Sequence, residues 1–214
     1  MFDLTQITYR SHAHYHNPSI MTPDFLNKLG IDISSWSIKE KGKSRTPVRS
    51  NIPFENGTEL SIDWTDFAIA LTTREAIEKH KDIAEDIFIK YLSKLPYVDY
   101  DFLVVGYNGN IVFKSEKQLD AFLGCFLGND IINDKKNDMN EMSFAFVFPL
   151  CSLPLYLSIE YNKAEKGKVK LHGEYKIELG EYDEANLESK ISDKLSATDS
   201  LYEEFHKYVT KLEG

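Results

Sequence analysis

"LYLSIEYNKAEKGKVKLHGEYKIEL", residues 155–179, alternates on both sides of a polar turn. Leu155, Leu157, Ile159 and Tyr161 occupy every second position before "NKAEKG". Val169, Leu171, Tyr175, Ile177 and Leu179 follow the same period after it, with Lys170, His172, Glu174, Lys176 and Glu178 between them. Successive side chains of a strand point to opposite faces, so this pattern predicts a hairpin with one buried and one wet face. A wet face is the mark of an antiparallel sheet, because parallel sheets are covered on both sides.

The segments around the hairpin fit the same class. After it, Leu187, Ile191 and Leu195 recur at helical spacing behind Asp183, and Leu201, Phe205, Val209 and Leu212 do so behind Asp199 or Ser200. Before it, "SFAFVFP" (143–149) is continuously apolar and reads as a strand covered on both faces. A helix carrying Leu119, Phe122, Leu123 and Phe126 follows the capping residues Ser115 and Gln118. "VDYDFLVVGYNGNIVF" is β-rich; its Asn108-Gly109 pair predicts either a hairpin or one long strand bulged at the glycine.

The longest helix spans 73–95. Thr72 and Glu75 form its expected capping box, Ile87 and Phe88 lie mid-stripe, and Pro96 ends it. In "TELSIDWTDFAIAL" the apolar phase changes from even (Leu60, Ile62) to odd (Phe67, Ile69, Leu71), which places a turn or bulge at "DWTD". "TPDFLNKLG" has an N-cap threonine, a proline at the first helical position and a C-terminal glycine. Strands joined by hairpins rather than by helical crossovers, with no linker between them, predict one α+β domain over 1–214. Its sheet is mostly antiparallel, with helices packed on one face.

Composition narrows the function classes. The chain has 214 residues, 42% hydrophobic and 28% charged, which suffices for a core that needs no disulfide or metal. A net charge of −9 opposes nucleic acid as a partner. The run Phe144–Leu157 is broken by two prolines and is shorter than the roughly 20 residues of a membrane span. Cys125 and Cys151 sit in apolar surroundings and are expected as buried, reduced thiols; "MFDLTQITYR" has no signal-peptide pattern. These readings predict a cytoplasmic protein with no membrane partner.

"SHAHYHN" holds His12, His14 and His16 at alternate positions, on the face expected to carry Thr8 and Arg10. Strand neighbours two apart are separated by about 6.8 Å, so His12 and His14 can reach one metal ion; His12 and His16, about 13–14 Å apart, cannot. Zinc needs three or four ligands; no second histidine motif supplies them, so the missing ones would come from His172 or from Asp and Glu of neighbouring strands. Lys39, Lys41, Lys43 and Arg45 in "KEKGKSRTPVR" are the candidate anion-binding residues, without a phosphate-loop pattern. The acidic loop 129–141 lacks the glycine and spacing of an EF-hand. No G-x-S-x-G or H-E-x-x-H occurs.

Twelve tyrosines, thirteen phenylalanines and two tryptophans exceed what a catalytic reading uses and suit a protein interface. The expected function is therefore non-enzymatic: an intracellular protein that binds a protein partner or itself, as a homodimer, with no cofactor. The alternatives are a hydrolase using zinc or another divalent metal at His12 and His14, and a small-ligand-binding protein.

Overall fold

The computed structural model describes residues 2–212 apart from 32, 96–99, 128–139, 150–152, 166 and 180–185. Its strands are β1 (Phe2–Ala13), β2 (Ser44–Arg45), β3 (Arg49–Pro53), β4 (Thr58–Asp63), β5 (Asp66–Leu71), β6 (Tyr100–Val112), β7 (Glu141–Pro149), β8 (Pro154–Asn162) and β9 (Lys168–Glu178). They form an antiparallel sheet in the order β2-β3-β4-β5-β1-β6-β9-β8-β7. The helices are α1 (Pro23–Lys28), α2 (Ile33–Trp36), α3 (Arg74–Glu78), α4 (His80–Lys94), α5 (Glu116–Leu127), α6 (Leu187–Ser196) and α7 (Thr198–Leu212). The fold is α+β. Among the described residues no helix is long and apolar enough to cross a membrane.

The chain clusters into two compact units, one of residues 6–106 and 176–199, the other of residues 1–5, 107–175 and 200–214. In the first, the odd positions of β1 are buried, and Ile7, Tyr9 and Ser11 lie opposite Leu71, Ile69 and Phe67 of β5. The phase change of 58–71 is a tight turn: Asp63 Oδ1 accepts from the backbone N–H groups of Thr65 and Asp66, each at 2.9 Å, and Ile62 pairs with Phe67. α4 covers this face with Ala84, Ile87, Phe88, Tyr91 and Leu92. Phe67 stacks on Tyr91 with ring centroids 3.7 Å apart, and Phe88 meets Tyr9 and Phe67 edge-on. The expected helix over 73–95 is two helices meeting at Lys79. Its cap is Thr73, because the Thr72 hydroxyl donates to the Gly57 carbonyl instead (3.0 Å).

In the second unit the β8–β9 hairpin forms in the expected phase, with Leu155, Leu157 and Ile159 opposite Tyr175, Gly173 and Leu171. Residues 100–112 are one strand, not a hairpin. The reason is visible at Gly109, where an added Cβ would collide with the Phe2 ring and the Asp3 carbonyl. The glycine serves a close approach rather than a turn. Phe205 of α7 stacks on Tyr107 and meets Phe2 edge-on, and Phe126 of α5 packs against Phe144 and Phe146. Cys125 is exposed on α5 rather than buried, because the apolar stripe of that helix runs through Leu119, Phe122 and Leu123. Cys151, Asp183 and the acidic loop up to residue 139 lie outside the described residues.

Candidate functional site

The three histidines do not share a face. β1 ends at Ala13, whose N–H bonds to the Thr65 carbonyl, and His16 N–H bonds to the Trp64 carbonyl, both at 3.0 Å. Between these anchors Tyr15 takes a left-handed conformation, with φ at 68°. That residue resets the alternation. His12 stays on the strand, His14 is exposed, and His16 turns into the core at 2% exposure. There its Nδ1 meets the Tyr91 hydroxyl at 2.9 Å, while Nε2 is buried without a hydrogen-bond partner among the described residues. Burial holds the His16 imidazole below its usual pKa.

His12 and His14 do come together, with ring centroids 6.0 Å apart. His12 stacks on Phe102 at 4.6 Å, and its Nδ1 lies 3.3 Å from Asp66 Oδ1. One oxygen, Asp101 Oδ2, stands 3.9 Å from His12 Nε2 and 3.8 Å from His14 Nε2. Sequence reasoning expects carboxylates from neighbouring strands here but does not identify these two, since Asp66 and Asp101 arrive from other strands and no motif links them to "HAHYH". These are hydrogen-bond and ion-pair separations, and the two to Asp101 exceed the roughly 3.3 Å between neighbouring donors on a tetrahedral zinc ion. Among the described residues no group of three or more His, Cys, Asp or Glu is arranged to hold a metal ion.

A second polar network lies deeper in the same unit. The Tyr9 hydroxyl sits 2.5 Å from His80 Nδ1 and 3.4 Å from the Thr198 hydroxyl, and His80 Nε2 is 3.5 Å from Asp199. Burial raises the Tyr9 phenol and lowers the His80 imidazole, with Asp199 partly opposing the latter. Tyr9 is 1% exposed, and Asp199, 58% exposed, is the end of the array that faces outward; together these residues tie β1, α4 and the start of α7 to one another.

The basic residues are engaged separately. Lys39 pairs with Glu55 (4.0 Å), Lys43 with Glu40 (3.2 Å), and Arg45 donates to the Ser19 carbonyl (2.7 Å); Lys41 is exposed. The structure gives these four no common focus.

In the other unit, β7 departs from the expectation of a strand covered on both faces. Its residues alternate between exposed and half-buried. Phe144, Phe146 and Phe148 face inward opposite Ile159, Leu157 and Leu155. Val147, 60% exposed, lies outward, directly opposite Tyr156 at 45%. Among the described residues no strand pairs with the outer edge of β7. The physical reason for the one-sided cover is position: β7 is last in the sheet, and α5 and α7 reach it from one face only, through Phe126 and Tyr208. Two open concavities on this unit, about 380 and 460 Å³, share Glu160 and Lys170 and are lined mostly by polar and charged side chains.

No protein-family model matches the chain, and no curated protein sequence matches it. A crystal structure of aspartate kinase from Clostridium acetobutylicum, an allosteric enzyme, aligns at 8% identity and a TM-score of 0.21, over 92% of this chain. The chain spans about a third of that kinase chain, 34%, and a similarity of this size carries no argument about fold or function.

Proposed function

We propose that this is a non-enzymatic intracellular protein that binds other polypeptide along the outer edge of β7. One observation carries the reading: a nine-residue edge strand, "EMSFAFVFP", with a single charged residue at its start. A row of unpaired backbone groups on such an edge is a template for strand addition, and natural edges are usually blunted by charged side chains, proline, bulges or brevity, which here stand only at the ends, as Glu141 and Pro149. None of the residues from Met142 to Phe148 supplies such a block. Affinity would come from main-chain hydrogen bonds, and selectivity from the alternate phenylalanines and the Val147–Tyr156 pair.

A fluorescein-labelled peptide with the sequence of residues 141–149 tests the reading. The expected result is a saturable rise in anisotropy, with slower amide exchange confined to β7. Absence of binding at a concentration where the chain is monomeric, or protection on other strands instead, overturns it.

A further inference from the structure

We infer that the polypeptide that occupies the β7 edge is a second copy of the same chain, paired antiparallel across a two-fold axis at Ala145. This rests on the edge-binding reading above and names its partner. A two-fold perpendicular to the sheet places residues equidistant from the axis opposite one another. With the axis at Ala145, Glu141 faces Pro149, Met142 faces Phe148, Ser143 faces Val147, Phe144 faces Phe146, and Ala145 faces itself.

Three properties favour this arrangement. All nine residues of the strand stand opposite a partner, Pro149 serving only as an acceptor because it has no N–H, whereas moving the axis along the strand leaves residues at one end unpaired. Glu141 is the only charge, and it meets a proline, so no like charges confront each other despite the net charge of −9 on each chain. The inward Phe144 and Phe146 of one copy stand beside Phe146 and Phe144 of the other, so the aromatic row Phe144–Phe146–Phe148 continues from one chain into the next. Outward, Val147 lies beside Ser143 of the other copy, which narrows the exposed apolar strip.

A charge swap at the axis tests the pairing. Ala145 is exposed, so Ala145→Lys and Ala145→Glu leave the inner face intact, and unchanged far-UV circular dichroism checks this. Light scattering of the wild type is expected to give twice the 24.6 kDa chain mass, Ala145→Lys and Ala145→Glu alone to give the single mass, and their mixture to recover the dimer. Tyr156→Lys, one strand in from the edge, is expected to keep the dimer. A wild type of single mass at every concentration overturns the inference. So does a dimer indifferent to both Ala145 variants, or one lost only in Tyr156→Lys. A single-mass wild type whose β7 still binds the 141–149 peptide sinks self-pairing alone, whereas a single-mass wild type that also fails to bind the peptide sinks the edge-binding reading as well.

Discussion

Phe67 stacks on Tyr91 in the unit of residues 6–106 and 176–199, and Phe205 stacks on Tyr107 in the unit of residues 1–5, 107–175 and 200–214. Both units cover their strands with aromatic rings from helices. They differ in what surrounds those rings. In the first, Tyr91 carries a hydrogen bond to His16, and Tyr9 reaches His80 and Thr198. In the second, the ring contacts run through Phe2, Phe205, Phe126, Phe144, Phe146 and Phe148, and its histidines, His172 and His206, lie at the surface or half-buried. The first core holds imidazoles, His16 and His80, whose pKa burial lowers, whereas the rings buried in the second are phenylalanines and tyrosines, Tyr107 and Tyr175 among them.

The largest effects test what the two cores have in common. Phe88→Ala in the first unit and Phe205→Ala in the second each remove a fully buried ring. Each should cost about 3–5 kcal/mol by chemical denaturation. A loss under about 1 kcal/mol at either position would show that its helix is not the cover described.

Tyr9→Phe probes the difference between the cores. It keeps the ring and deletes the hydroxyl between His80 and Thr198, leaving buried groups short of a partner. Destabilisation of about 1–3 kcal/mol is expected. A neutral outcome would make the network incidental.

His16 gives the comparison its pH axis. Its folded pKa lies below the unfolded value of about 6.5, so between the two the unfolded chain holds more protons than the folded one. Stability is therefore fully present above that unfolded value and declines as pH falls below it, by at most about 1.4 kcal/mol per pH unit for one group. His80 acts in the same direction. Urea midpoints measured from pH 8 to pH 5 should fall less steeply in His16→Leu than in the wild type; parallel slopes would remove His16 from the account.

Val147→Lys is the smallest. Its side chain lies outside both cores, so measured at a concentration where the chain is monomeric it should move stability by less than about 0.5 kcal/mol. A larger loss would mean that the outward face of β7 is covered within the chain.

Period was the most legible signal. The β8–β9 hairpin, the buried odd face of β1 and the stripe of α4 follow from alternation at two or at 3.6, because burial imposes those periods directly. What failed were places where one local signal had two physical uses. Asn108-Gly109 suits a tight turn, yet the glycine serves the approach of Phe2. "SFAFVFP" suits a doubly covered strand, yet an edge strand with one aromatic face and small outward residues has the same composition. The surroundings of His12 were not legible at all. Asp66 and Asp101 lie 54 and 89 residues away in number, and only the pairing of strands brings them near.

Tyr15, with φ at 68°, is one of two non-glycine residues among those described whose backbone is left-handed. An L-residue in the left-handed region costs about 1–2 kcal/mol, and tyrosine has no local compensation of the kind asparagine finds in its own side chain. The chain tolerates this because the bonds from Ala13 and His16 to the Thr65 and Trp64 carbonyls hold both sides of the kink, and because the Tyr15 ring, 86% exposed, packs little of itself away. The mirror-image preference at this one position makes it a reserve of stability. Asparagine at 15 would fit the same backbone at lower cost and leave the burial of His16 as it is.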